Sequence, residues 1–321
     1  MMRLFRVING GKRHQVLSTC SGASNFKAVQ NEFNKQATTF EADWNVRSRT
    51  TTKSLMQKVM MHVAPHLPKS ESLHALDVAC GTGIFTRALI SHGDGNGGDL
   101  YRTFTGLDAT ANMLSKARAA VQDLESDVDI KFLQGDAASM PFEDNSFDLV
   151  ACRLAIHHFQ DPIQQMQEMS RVCRPGGLVI IVDICSPESS HLANSMNELE
   201  RMRDPSHTVA LSPVSLAQLV EDSGLHICST RAETKGCTVQ LRSGTKNIPF
   251  FYNEMFLSKW LDSTLTPPAR RKVIESAVEK ELHKGGGNED PEATGLYPFV
   301  VEDGEICFTH RYVVICATKA A

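Results

Sequence analysis

The sequence predicts an open α/β fold: a mostly parallel sheet with helices on both faces and an inserted helical cap near its end. Two observations lead there. Short apolar runs alternate with segments of helical period between residues 73 and 184. Short apolar strands alternating with helices imply a mostly parallel sheet covered on both faces. Second, residues 234–304 interrupt the alternation with two helix-like patterns before a last apolar run at 305–319.

Taken in order, residues 27–66 have a helical pattern, with Ala37, Phe40 and Trp44 and then Leu55, Met56, Val59 and Met60, until Pro65 stops it. "LHALDVA" (73–79) reads as a strand and "IFTRALISH" (84–92) as a helix. "RTFTGLD" (102–108) is a second strand, "ANMLSKARAAVQDL" (111–124) a second helix and "DIKFLQGD" (129–136) a third strand. "SFDLVACRL" (146–154) is a fourth strand, "PIQQMQEMSRVC" (162–173) a helix, and "LVIIVDI" (178–184) a fifth strand after "RPGG". The glycine-rich "SHGDGNGGDLYR" (91–102) reads as a surface loop extension. After the strand candidate "HICSTRAE" (226–233), "PFFYNEMFLSKWLDSTL" and "PPARRKVIESAVEKELHK" read as two helices of the cap, the second ended by Gly285 to Gly287. "EICFTHRYVVICATK" (305–319) then reads as a final strand or hairpin. The chain divides accordingly into 1–26, a main domain at 27–233, the cap at 234–304 and a closing strand within 305–321.

Composition narrows the function. A 321-residue chain with 41% hydrophobic and 22% charged residues is an ordinary globular composition, and no apolar run has the length of a membrane span. The net charge of −4 and the lack of a basic, aromatic-interleaved strip argue against nucleic acid as partner. Nine cysteines show no C-x-x-C pair, so they read as reduced core residues and no metal site is expected. Residues 1–31 hold Arg3, Arg6, Lys12, Arg13 and Lys27 and no acid. Such a start reads either as a mitochondrial transit peptide or as a basic, disordered tail of an otherwise cytoplasmic protein.

"LDVACGTG" poses the chemical question. A buried strand containing Asp77 runs into a turn with Gly81 and Gly83. Such a turn lets backbone approach a ligand, and the following helix start offers free N–H groups. The dinucleotide fingerprint needs a third glycine three residues after the second, where Thr86 stands here. The acid four residues before the first glycine is the more specific feature. At this point the sequence resembles motif I of the class I S-adenosylmethionine-dependent methyltransferases. The nearest pattern is the type 11 methyltransferase domain shared with ubiquinone and menaquinone biosynthesis enzymes. "FTGLDAT" ends a second strand in Asp108 as that family does, and "FLQGDAASMPFEDNSFDLVACRLAIHHFQDP" and "VCRPGGLVIIVD" are similar to its later motifs. The resemblance spans roughly Phe33 to Asp183 in the family's order.

What the resemblance implies is a Rossmann-like fold binding S-adenosyl-L-methionine. Gly81 and Gly83, with Ala79 and Cys80 in the same turn, would let backbone meet the methionine part, and Asp77 would support that turn or accept from the amino group. Asp108 would hold the ribose hydroxyls, Asp136 with the Ala137 N–H the adenine edge, and Ala109 and Met113 its face. Arg153 and Leu154 would floor the methionine side. Each acid alone could equally be a strand-end or helix-capping residue. Phe33, Phe40 and Trp44 lie on the segment that the resemblance places over the cofactor, and the family's common tyrosine is replaced by Phe40.

Methyl transfer is an in-line displacement in which alignment alone can suffice; a general base is needed only when the acceptor must lose a proton. His157 and His158 follow the fourth strand, where a structural or cofactor-lining role competes with catalysis for His158. In "RMRDPSHTVALSP", Asp204 and His207 either position an acceptor or form a turn fixed by Pro205 and Ser206. His310 and Arg311 read as pairing within the sheet. The cap holds Phe250, Phe251, Tyr252, Phe256 and Trp260 within a short stretch, which makes either cap core or a pocket for an aromatic or prenylated small molecule. The expected partner is a small methyl acceptor. A cofactor-binding assembly subunit without turnover, a quinone-specific enzyme and a nicotinamide-dependent oxidoreductase are the alternatives, the last disfavoured by Thr86.

Overall fold

A computed structural model describes residues 5–9, 12–16, 22–37, 52–69, 72–92, 100–122, 124, 126–228, 238–240, 247–256, 261, 268–282, 299–302 and 305–320. Ten strands form the main sheet. Its parallel half runs β5 (Asp129–Gln134), β4 (Tyr101–Asp108), β3 (Leu73–Val78), β6 (Phe147–Arg153), β7 (Cys173–Cys185). The long β12 (Glu305–Lys319) follows antiparallel to β7. β12 also pairs with β8 (Leu225–Ile227), β10 (Asn247–Phe256) and β11 (Phe299–Glu302), and β9 (Thr238–Gln240) pairs with β10. A separate antiparallel pair joins β1 (Phe5–Asn9) to β2 (Lys12–Val16).

The period of two along each strand sorts side chains onto two faces. Ala75, Phe104, Leu149, Ala151, Ile180 and Val182 belong to one apolar cluster. Their neighbours Leu76, Val78, Leu107, Val150, Cys152, Val179 and Ile181 belong to the other. The first face is covered by α2 (Thr52–Val63) and α3 (Ile84–His92) through Leu55, Val59, Phe85 and Leu89. The second is covered by α5 (Pro162–Val172) and α7 (Pro213–Asp222) through Met166, Met169, Leu216 and Val220. Each fully buried aliphatic side chain contributes roughly 1.5–3 kcal/mol, so burial on both faces, more than helix propensity, holds the sheet. Gly106 shows how tight the packing is: a Cβ there would stand 2.6 Å from the Phe132 ring and 2.8 Å from Cys80 Sγ.

The remaining helices are α1 (Gly22–Gln36), α4 (Ala111–Ala120), α6 (Ser190–Arg203) and α8 (Pro268–Leu282). No helix among the described residues is long and apolar enough to cross a membrane.

Several expectations are corrected. Residues 250–256, read as the start of a cap helix, are strand. The Phe- and Tyr-rich run suits a pleated surface as well as a helix face, and the edge of β12 supplies backbone partners from Phe250↔Val313 to Phe256↔Cys307. The side chains of the cap aromatics, and Trp260, lie outside the described residues, as do Phe40, Trp44 and Gly285 to Gly287. The second cap helix is present as α8. Residues 305–319 form one strand, not a hairpin. The helical stretch expected from Lys27 begins at Gly22. Cys173 opens β7 instead of closing α5, because the strand already pairs at Phe147↔Cys173 before the Arg-Pro-Gly-Gly turn signal.

Candidate functional site

Strand order reverses between β3 and β6, since the chain moves outward from β3 to β4 and β5 and then returns to β6 on the other side. That is where open α/β sheets leave a crevice at the carboxyl ends of the strands. Both strands end there in left-handed backbone: Ala79 has φ 54° and Leu154 φ 56°, with Gly81 at 55° and Gly83 at 77°. A non-glycine residue in that region costs roughly 1–2 kcal/mol. Such strain on both walls of one crevice is characteristic of a site where backbone direction matters more than local ease.

The expected cofactor residues collect at this crevice from four adjacent parallel strands. Asp108, at the end of β4, reaches across to the β3 turn. Its Oδ2 accepts from the Gly81 N–H at 2.9 Å and its Oδ1 from the Thr110 N–H at 2.8 Å. Burial raises the Asp108 pKa while those two N–H groups oppose the shift. Each carboxylate oxygen keeps a second acceptor direction. A Cβ on Gly81 would meet nothing within 4 Å, so this backbone faces open space. After β5, Asp136 Oδ1 accepts from the Ala138 N–H at 2.8 Å, folding the turn that carries Ala137. The Ala109 carbonyl accepts from Gln30 Nε2 and Gln134 Nε2, both at 3.0 Å, which ties α1 to the β4 loop, while Met113 is buried in α4.

Asp77 is buried in β3, where Oδ2 accepts from Thr86 Oγ1 at 2.6 Å. This explains the threonine where a dinucleotide fold has glycine. Oδ1 is buried with no hydrogen-bond partner, and burial pushes the carboxyl up to about 7 against the Thr86 bond and the charge of Arg153. An unmet buried acceptor costs about 1–3 kcal/mol, so Asp77 Oδ1 is a point of unfavourable burial at the end of β3.

A second cluster adjoins the end of β6. The turn at 156–158 puts His157 and His158 with ring centroids 4.1 Å apart, and His207 lies 5.5 Å from His157. His157 Nδ1 meets Asp183 Oδ1 of β7 at 2.5 Å, and the His157 N–H donates to Asp183 Oδ2 at 3.1 Å. Ser206 Oγ donates to Asp204 Oδ1 at 2.5 Å and therefore accepts, at 3.1 Å, from His158 Nδ1–H. His207 Nε2 donates to Asn197 Oδ1 at 2.7 Å. Phe33 of α1 stands edge-on to His158 at 4.9 Å.

Electrostatics separates the three rings. Burial and the neighbouring His157 push His158 down to about 4, and burial pushes His207 down to about 2. Burial also works to lower His157, but the charge and hydrogen bond of Asp183, with Glu200 and Asp204 behind, turn the net shift upward. Beneath them, Glu200 of α6 is fully buried, paired with Arg203 at 2.6 Å and with His310 Nε2 at 2.8 Å. Among the described residues no group of three or more His, Cys, Asp or Glu is arranged to hold a metal ion.

The structure places Asp77, Ala79, Cys80, Gly81 and Gly83 on β3 and the turn after it, Asp108, Ala109 and Met113 at the end of β4 and on α4, Asp136 and Ala137 after β5, and Arg153 and Leu154 at the end of β6, beside the carboxyl ends of four adjacent strands. It joins His158, Asp204 and His207 in the adjoining cluster. Sequence reasoning left out Asp183, Asn197, Glu200 and Ser206 as site residues. For Asp183 a signal exists, since "VIIVDI" embeds an acid in a buried strand just as "LHALDVA" does.

Residues 76–181 match the family model of the methyltransferase domain. Over 102 residues the chain is 41% identical to an uncharacterised methyltransferase of Bacillus subtilis, covering 32% of this chain and 40% of the relative. Over 117 residues it is 38% identical to a demethylmenaquinone methyltransferase of Staphylococcus aureus, covering 36% and 45%. The match therefore spans less than half the length of either relative. The crystal structure of a putative methyltransferase from Bacillus halodurans shares the fold with a TM-score of 0.65 at 24% identity, covering 83% of this chain and 99% of that one. Residues 76–181 carry a methyltransferase domain.

Proposed function

We propose that this protein transfers a methyl group from S-adenosylmethionine to a small, lipophilic or aromatic acceptor. The observation that carries the reading is the left-handed turn at residues 79–83 beside the strand-order reversal, with Asp108 fixed to that turn and the Gly81 backbone facing open space. The cofactor, when bound, supplies a methyl group activated by a sulfonium. The chain's own residues hold it. Asp77 would accept from its amino group and Asp108 from its ribose hydroxyls; Asp136 would accept from the adenine amino group and the Ala137 N–H would donate to a ring nitrogen, while Met113 and Ala109 would pack on the base. Arg153 and Leu154 would lie under the methionine end. The burial of the His157, His158 and His207 cluster keeps water from the transfer. Asp204 acts on the acceptor side by holding Ser206, and through it His158.

Residues 27–233 with 305–321 make up the methyltransferase domain in this reading, and 234–304 the inserted substrate cap. Mitochondrial import rests on the composition of residues 1–26 alone. A quinone acceptor is the narrower version, favoured only by the demethylmenaquinone methyltransferase match. The test is calorimetric titration with S-adenosylmethionine and S-adenosylhomocysteine. Micromolar binding of both is expected, and a folded chain that binds neither overturns the reading.

A further inference from the structure

The three clustered histidines are not equivalent. His207 spends Nε2–H on Asn197, and its Nδ1 is shut away from solvent without a partner. His158 reaches its carboxylate, Asp204, only through the Ser206 hydroxyl. His157 alone holds a carboxylate directly, on β7, the strand next to the one that ends in Arg153 and Leu154. Asp183 is itself fixed by the His157 and Ile184 N–H groups, so the carboxylate cannot swing away. An acid that accepts from Nδ1–H leaves the lone pair on Nε2, and among the described residues nothing bonds to that nitrogen. The main-chain carbonyl of His157 is in turn held by the Thr208 and Val209 N–H groups at 2.8 and 3.2 Å, so the ring sits on a braced turn.

We infer that His157 is a catalytic residue, its Nε2 taking a proton from the acceptor while Asp183 positions the ring, and that the acceptor is therefore a hydroxyl or an activated C–H acid. This rests on the methyltransferase reading above. In the step, the acceptor O–H or C–H bond breaks, its proton goes to Nε2 and its electron pair forms the new bond to the methyl carbon. The methyl carbon's bond to sulfur breaks, and the sulfonium becomes a neutral thioether. The imidazolium is held by Asp183 until product leaves and the proton passes to water. A tertiary amine or thioether acceptor has no proton to give and would leave this arrangement without a task.

The groups facing His157 fit the assignment. Asp183 from β7, Glu200 from α6 and Asp204 from the loop after it favour the imidazolium, and His158 and His207 stay neutral beside it. Removal of the Asp183 carboxylate must then lower the pH at which His157 becomes a base.

The experiment uses the full chain with catechol, lawsone and a prenylated hydroquinone as acid probes, against dimethylaniline and dimethyl sulfide. S-adenosylmethionine binding is followed in parallel. Turnover of at least one acid probe is expected. His157→Gln should lower kcat by roughly 100-fold or more with cofactor affinity unchanged. Asp183→Asn should move the acid limb of the pH profile to lower pH. Turnover confined to the amine or sulfide, turnover of no probe by a chain that binds the cofactor, or full activity in His157→Gln overturns the assignment. Loss of cofactor binding by the wild-type chain refutes the parent reading instead.

Discussion

Replacing Asp77 by Asn removes the titrating group that the proposed site pairs with the cofactor's amino end. Asp77 sits near pKa 7 in the folded chain, because burial outweighs the Thr86 hydrogen bond. A carboxyl with that pKa is about 3% ionised near pH 5.5 and about 70% ionised near pH 7.4. An α-amino group of pKa about 7.7–8.0 is almost fully charged at the lower pH and about 70% charged at the higher. The fraction of encounters with both charges in place therefore rises about fifteenfold between them, or roughly 1.6 kcal/mol. Isothermal titration with S-adenosylmethionine across this range should show that gain in the wild type. In Asp77→Asn the slope should shrink to what remains from Asp108, whose carboxyl burial also raises. A wild-type affinity flat with pH, or a variant keeping the full slope, refutes the pairing of Asp77 with the amino end.

Other perturbations test the surrounding architecture. Asp108→Ala should weaken cofactor binding and also cost about 1–3 kcal/mol of stability, because the Gly81 and Thr110 N–H groups lose their acceptor; chemical denaturation checks the second effect independently of the first. Glu200→Gln should destabilise by about 3 kcal/mol, since Arg203 and His310 would be left beside an uncharged amide. Burial alone would raise Glu200, but Arg203 and His310 hold it well below the ordinary range. A depressed carboxyl contributes stability at pH above its unfolded pKa and loses it as pH falls through the folded one, so this variant should also flatten the acid limb of the stability curve. Gly106→Ala should cost about 1–3 kcal/mol by thrusting a methyl group at the Phe132 ring and the Cys80 thiol, seen as a lower thermal midpoint.

The central parallel strands β3, β6 and β7 were readable because they are buried on both faces and so read as mostly apolar runs, whereas the edge strand β5 is exposed and was legible through its place in the alternation. Asp77 was readable for the opposite reason: a charge inside such a run needs a cause. Asp183 carried the same signal, but its partner His157 lies 26 positions away, and nothing in the spacing tells that the two meet across adjacent strands. Asp204 and His207 attracted notice as polar residues in a loop, yet their partners Ser206, His158 and Asn197 are chosen by tertiary packing. The run at 250–256 misled because aromatic residues satisfy helix and strand patterns alike, and the deciding factor was an open edge contributed by residues 307–313. Local pattern had no access to that edge.

That pairing bears on how an acceptor gains entry. Because β10 is hydrogen-bonded along β12, and β12 along β7, the strand bearing Asp183 and the start of the 234–304 insertion share one continuous backbone lattice. Swinging β10 aside as a flap would sever the registered pairs from Phe250 to Phe256 at once. Residues 247–256 are therefore held to the sheet by main-chain pairing, and any path to the crevice that displaced them would have to break that whole ladder.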